Sequence, residues 1–352
     1  MRVLYLLDED FATRERRLVE RLEVGLAAEG VQSLCLQPAA TIGEAPSANV
    51  TGKTLTFPAF GPLASVHQRA RLLEGMVREA IKDEPGDGVD IVHVFAPSLW
   101  SLAGQLATLL DASWAIEAWS DAGMTKALRL RTGRGVGSPV ILAADPALID
   151  NAGKAGSSTA VRRTPWGVHA LPAPRNVLRE GSTISVVLSA GGLDTAAMHA
   201  ALAGAAALAK IEERALIFVE AGAAAKAKVW REAESLGLLS RLSLIPDLEI
   251  HRDLVLACDV LVLPDHSGQV RTLGLEALAC GMAVVASRDD RLTYWRGDEP
   301  IGRFVVPGDR KGWVAALEAV VRDRSRSREL ARQGWSRMRE QRRVSAHVQS
   351  VL

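Results

Sequence analysis

Cysteine is scarce, with three in 352 residues. Cys35, Cys258 and Cys280 all lie in apolar contexts and show no metal-type spacing. That argues against a disulfide scaffold or a cysteine metal site; buried thiols in a reducing cytoplasm are expected. Long apolar runs are missing too. The longest candidate, AALAGAAALA (200–209), reads as an alanine-rich helix that stops at Lys210, so no membrane-spanning helix is expected. The opening MRVLYLLDED reaches Asp8 after a run too short for a signal-peptide core, and the expectation is a cytoplasmic chain. An excess of one charge is absent: 42 Lys and Arg stand against 41 Asp and Glu, a net charge of +1. No nucleic-acid partner is implied. The first strand is not followed by G-x-G-x-x-G or by a suitably placed acid, which argues against an unrelated nucleotide-binding α/β enzyme such as a dehydrogenase.

What is present is alternation. The apolar fraction, 48%, is ample for two cores, and the length suits two α/β units. In the first half, VLYLL (3–7), VQSLCL (31–36), LTF (55–57), DIVHVF (90–95), WAIEAW (114–119) and PVILA (139–143) read as strands. Helices are expected over 13–30, 65–82, 98–111 and 145–153, the last with Asp145 as N-cap and Pro146 in the first turn. EPGDG (84–88) reads as a turn. VRRTPWGVHALPAPRN (161–176) breaks the pattern with its prolines and reads as an interdomain linker.

The alternation then restarts. TISVVLS (183–189), RALIFVE (214–220), RLSLIP (241–246), DVLVLP (259–264) and MAVVAS (282–287) read as strands, and RFVVPGD (303–309) as a last short strand and turn. Helices are expected between them and over 311–322 and 325–341. TLGLEALACGMAVVAS (272–287) places one carboxylate, Glu276, in an apolar run. Gly281 is placed as a helix C-cap, so Glu276 lies near the start of a short helix just beyond the carboxyl end of a strand. In open α/β sheets ligands bind at that edge.

The order of these segments resembles the GT-B glycosyltransferases, specifically glycosyltransferase family 4. LGLEALACGMAVVAS is similar to that family's LLEAMACGxPVVAS, and DIVHVFAPSLW to its DVVHxH strand. TPWGVH (164–169) stands where the family has IPNGVD, and VVPGDRKGWVAALEAVVRD resembles VPPGDPxxLAxAIxxLLxD. The resemblance implies two Rossmann-like, doubly wound parallel-sheet domains facing a cleft. The expected boundaries are 1–168 for an acceptor-side domain, 169–335 for a donor domain and 336–352 for a C-terminal helix packing back on the first domain.

The family's chemistry implies roles for particular positions. Glu276 occupies the place of the second glutamate of a Glu-x7-Glu pair, which accepts hydrogen bonds from the donor ribose. Counting back gives Gly268, so the first glutamate is absent, with Gln269 and Asp265 beside that place. The Arg and Lys of GRLxxxKG, which neutralise the leaving diphosphate, correspond to Gly192 and Ala197. Both cations are missing. Arg271 is the first candidate to replace them, with His266 and Arg288 weaker candidates. Gly191, Gly192 and the backbone amides around Thr272, Leu273 and Leu275 are candidates to hold phosphate. His93, on the strand DIVHVF, is read as a second site residue, with a core role the alternative.

The implied function is a retaining glycosyltransferase of polysaccharide-biosynthesis type, moving a hexosyl group from a nucleotide-diphospho-sugar to an unknown acceptor. The acceptor is expected near His93 and Asp8–Arg14. The donor is a substrate, and no cofactor or metal is expected; DED (8–10) reads as loop charges. The alternative is a catalytically silent sugar- or nucleotide-binding partner subunit. The arginine-rich segment 321–343 reads as a solvated helical face, and its second reading is peripheral contact with the inner face of a membrane.

Overall fold

The computed structural model describes residues 1–39, 52–61, 63–84, 86, 88–133, 135–152, 160–191, 194–295 and 299–352. The chain divides into two compact units. The first is Met1–Gly167 together with Val344–Leu352; the second is Val168–Arg343.

The first unit is built on seven strands: β1 (Arg2–Leu6), β2 (Gln32–Pro38), β3 (Lys53–Phe57), β4 (Ile91–Val94), β5 (Ser113–Ala118), β6 (Val140–Ala143) and β7 (Val161–Arg163). They pair in parallel in the order β3-β2-β1-β4-β5-β6-β7. The order reverses at β1, so the loops after β1 and β4 diverge at the carboxyl edge, where open sheets take ligands. All five residues of β1 are buried, as a central strand covered by helices on both faces requires. The helices are α1 (Glu9–Arg14), α2 (Arg16–Ala28), α3 (Val66–Ile81), α4 (Trp100–Leu110), α5 (Asp121–Leu128), α6 (Pro146–Ala152) and, from the C-terminus, α14 (Val344–Val351). The core between sheet and helices is aliphatic with two indoles, Trp100 and Trp114.

The second unit has six parallel strands: β8 (Ser185–Leu188), β9 (Leu216–Glu220), β10 (Leu242–Ile245), β11 (Val260–Leu263), β12 (Ala283–Ser287) and β13 (Arg303–Val305). Their order is β10-β9-β8-β11-β12-β13, with the same reversal at the first strand. The helices are α7 (Thr195–Ile211), α8 (Ala221–Lys226), α9 (Val229–Ser235), α10 (Arg252–Ala257), α11 (Thr272–Cys280), α12 (Arg310–Arg322) and α13 (Arg324–Gln341). Alanines let α7 press against α12. A Cβ on Gly204 would lie 2.6 Å from the carbonyl oxygen of Trp313.

Several local expectations change. The helix expected over 13–30 is two helices, broken at Glu15, and the first begins at Glu9. Asp8 is therefore a helix cap, accepting from the Phe11 N–H at 3.0 Å, and Glu9 and Asp10 are first-turn helix residues rather than loop charges. The helix expected between RALIFVE and RLSLIP is two helices, α8 and α9, separated at Lys228, whose φ is +52°. The expected linker starts later, because Val161–Arg163 form the edge strand β7. Helix α5 was not anticipated; it is short and carries Gly123 in its first turn. The C-terminal helix expected over 336–352 is divided, with α13 ending at Gln341 and α14 running Val344–Val351. The turn at 84–88 lies partly outside the described residues.

Candidate functional site

At the carboxyl edge of the second sheet, α11 follows β11 through the loop 264–271. Every residue from Thr272 to Ala279 is buried, Glu276 among them at 5% exposure. Gly281 closes the helix with φ +78°, the left-handed cap expected of it. Thr272 and Glu276, one helical turn apart, share a face. A single guanidinium from α10 spans both. Arg252 Nε donates to Glu276 Oε2 at 2.8 Å, and Nη2 donates to the Thr272 hydroxyl at 2.6 Å. Nη1 lies 3.5 Å from a Glu249 carboxylate oxygen. The Arg252 side chain is wholly buried. Such a charge is tolerated only when paired and hydrogen-bonded. It gave no signal in the sequence, because HRDLVLAC reads as an ordinary helix start.

Leu273 is buried in the helix behind Thr272. Arg271 occupies the N-cap position with an extended backbone and makes no side-chain cap; its Nη1 lies 3.4 Å from Gln269 Oε1. The structure therefore brings Gln269, Arg271, Thr272, Leu273 and Glu276 together around one helix start. Gly191 comes to the same edge by another route, after β8. Its N–H donates to the carboxylate of Asp265, which follows β11. Asp194 caps α7 by accepting from the Ala197 N–H at 2.9 Å, and His266 Nδ1 stands 3.7 Å from the Asp194 carboxylate. Gly192 lies outside the described residues. Ala197 is buried in the helix.

In the first unit, His93 is 2% exposed in the middle of the sheet. Its Nε2 is 2.9 Å from Glu117 Oε2, and the Trp166 indole N–H donates to Glu117 Oε1 at 2.7 Å. The ring of His93 stacks on Phe95 with centroids 4.3 Å apart, and Phe11 packs edge-on to Trp166. The structure thus gives His93 the buried, hydrogen-bonded surroundings of a core histidine. Glu117 went unread in the sequence, although its signal was available. It is the lone carboxylate in the apolar strand WAIEAW, as Glu276 is in its helix. At the carboxyl edge of the same sheet, Asp8 accepts from the Ser98 hydroxyl at 3.0 Å.

Residues 174–337 match the model of the family described as glycosyl transferases group 1. That match lies within the second unit. D-inositol 3-phosphate glycosyltransferase of Xylanimonas cellulosilytica is 31% identical over 131 residues, covering 36% of this chain and 31% of that relative. The matched stretch thus spans about a third of the relative's length. Sucrose-phosphate synthase from Thermosynechococcus elongatus superposes with a TM-score of 0.73 at 15% identity, over 100% of this chain and 97% of that one. Anabaena HepE in complex with UDP and glucose gives 0.72 at 15% identity, over 100% and 98%. These likenesses show the GT-B fold.

Gly268, the position eight residues before Glu276, lies in the second unit. Gly268 has φ +65°, a conformation that strains any residue with a side chain. Its N–H donates to Asp289 Oδ2 at 2.6 Å. A Cβ there would meet the Arg291 side chain at 3.1 Å. Arg291 is fixed by Asp289, at 2.9 Å from Nε to Oδ1, and also donates to the His266 carbonyl. A cation fills the direction in which a glutamate would project.

The arginines of 321–343 are largely engaged within the second unit. Arg324 donates to Glu212 at 2.5 Å and to the Arg179 carbonyl at 2.9 Å. Arg332 pairs with Glu329 at 2.6 Å, and Arg339 lies over the Trp335 ring. This arrangement accounts for the basic segment as a paired helical face. Among the described residues no helix is long and apolar enough to cross a membrane, and no group of His, Cys, Asp and Glu is placed to hold a metal ion.

Proposed function

We propose that the chain is a retaining glycosyltransferase of the family 4 type. It takes a nucleotide-diphospho-sugar as donor and passes the hexosyl group to an acceptor. The observation that carries this reading is the family match over 174–337, which includes α11 and its buried carboxylate Glu276. Glu276 holds the donor ribose. Each carboxylate oxygen has two lone pairs, so the bond from Arg252 leaves acceptor capacity and fixes the carboxylate's orientation. The Thr272–Leu275 amides and Gly191 meet the diphosphate. Arg271, at the start of α11, supplies positive charge to it. Removing one such donor in a transferase costs roughly 10²–10³ in rate. The sugar leaves with retained configuration, and the departing phosphate oxygen takes the acceptor's proton.

The experiment is calorimetric titration of UDP, GDP and ADP, and of their hexose conjugates, into the wild type, Glu276→Gln and Arg271→Ala. Saturable binding of one base, weakened in both variants, supports the donor site. A folded wild type that binds none of the nucleotides overturns it.

A further inference from the structure

We infer that Lys226 supplies a second cation to the donor diphosphate beside Arg271, and that Asp265 opposes it. This rests on the donor-site reading above.

The topology brackets one residue. In the second sheet β8 lies between β9 and β11. The loop after β8 therefore has the segment after β9 on one side and the segment after β11 on the other. Gly191 is in that loop, and both its backbone groups are engaged by those neighbours. From the β9 side, the Lys226 ammonium at the end of α8 reaches the Gly191 carbonyl oxygen at 3.5 Å. From the β11 side, the Asp265 carboxylate takes the Gly191 N–H.

The two groups have opposite consequences for an arriving anion. Family transferases place two cations on this loop and the helix after it. Here those positions are Gly192 and the buried Ala197. Of the other cations near this edge, Arg291 is tied to Asp289 and Arg271 leans on Gln269. Lys226 is exposed; among the described residues its one bond is a long one to a carbonyl and no carboxylate pairs with it. Its flexible four-carbon stem lets a point charge follow a phosphate. Asp265, in contrast, holds a negative charge on the backbone donor that a phosphate oxygen would take, and must yield it.

The test compares the diphosphate with the bare nucleoside. Whichever of UDP, GDP or ADP binds the wild type is titrated, with its nucleoside, into Lys226→Gln, Lys226→Arg and Asp265→Asn. A charged hydrogen bond is worth roughly tenfold or more in affinity. The expected result is a diphosphate affinity roughly tenfold lower in Lys226→Gln and near wild type in Lys226→Arg. Asp265→Asn should bind more tightly, and nucleoside affinity should stay level throughout. A lysine that merely props the loop would change nucleoside and diphosphate equally, and that outcome overturns the inference. So does a Lys226→Gln variant that binds the diphosphate like the wild type; the donor-site reading then stands. If the wild type binds no nucleotide, the reading and this inference fall together.

Discussion

Glu276 Oε2 accepts a hydrogen bond of 2.8 Å from Nε of Arg252, and the arginine side chain is wholly buried. The pair joins α10 to α11 at the carboxyl edge of the second sheet. Removing one partner leaves the other charged and buried, which typically costs about 3–5 kcal/mol. Glu276→Ala is therefore expected to unfold at markedly lower urea concentration than the wild type. Glu276→Gln keeps an oxygen for Arg252 and should lose less. The double variant Glu276→Leu/Arg252→Met should recover much of the stability, because an apolar pair of similar bulk has no charge to desolvate. Urea titrations of the four proteins check this. A Glu276→Ala variant as stable as the wild type would show that the pair contributes nothing. Nucleotide binding lost in Glu276→Ala alone thus has two explanations, so Glu276→Gln is the informative variant for the ribose contact.

Glu117 makes a comparable prediction in the first unit. Its two oxygens serve two different partners, His93 at 2.9 Å and the Trp166 indole N–H at 2.7 Å. Glu117→Ala strands both, and each buried polar group left without a partner costs roughly 1–3 kcal/mol. Trp166→Phe breaks one bond and keeps most of the packing against Phe11 and Trp119. The expected order of thermal stability is wild type, then Trp166→Phe, then Glu117→Ala. Glu117→Ala as stable as the wild type would mean that the carboxylate is not what holds these rings.

Glu23, on α2, predicts a pH dependence. Burial, and secondarily the neighbouring Glu20, raise its carboxyl from the usual range to about 7, while Arg16 opposes them. Its Oε1 has no hydrogen-bond partner among the described residues. A carboxyl raised in the folded state binds a proton that the unfolded chain has already lost. Its cost to stability is absent at acid pH, grows between about pH 4.5 and 7, and is complete above. The full cost is on the order of 3 kcal/mol. Glu23→Gln should therefore be more stable than the wild type at pH 8 and lose its advantage toward pH 4.5. Melting curves across that range decide it; a constant difference at all pH values would rule out titration of Glu23 as the cause.

How far the sequence disclosed this molecule depends on how far apart the interacting residues lie. The buried strands of both sheets were legible, since parallel strands covered on both faces are apolar throughout. So was α11 with its Gly281 cap, because start, stop and composition all lie within ten or so residues. Helix α5 escaped because a two-turn helix leaves too little periodicity to read. At the candidate site, Glu276 stood out as a carboxylate in an apolar run, yet its partner Arg252 did not, being on a separate helix. Lys226 and Asp265 come to Gly191 only through the strand order β9-β8-β11, which sequence spacing does not encode. Glu117 is the exception, readable by the same criterion as Glu276 and passed over.

The contact between α7 and α12 gives a last prediction, independent of any ligand. Gly204 sits in the middle of α7, where glycine costs about 1 kcal/mol relative to alanine in a free helix. Helix propensity alone therefore favours Gly204→Ala. The packing opposes it. The added Cβ would lie 2.6 Å from the Trp313 carbonyl oxygen and 2.7 Å from Leu317 Cδ1. A leucine terminus can rotate away, but a backbone carbonyl in α12 moves only if the helix moves. Overpacking of this kind costs typically about 1–3 kcal/mol, which exceeds the propensity gain. Gly204→Ala is expected to lower the melting temperature, and Gly204→Val to lower it further. Gly222, with no atom near its Cβ direction, is the control in the same unit. Its change to alanine should leave the melt unchanged or raise it. If Gly204→Ala instead melted at or above the wild type, α12 would have to yield to a methyl group, and the helices would not be in the close contact described.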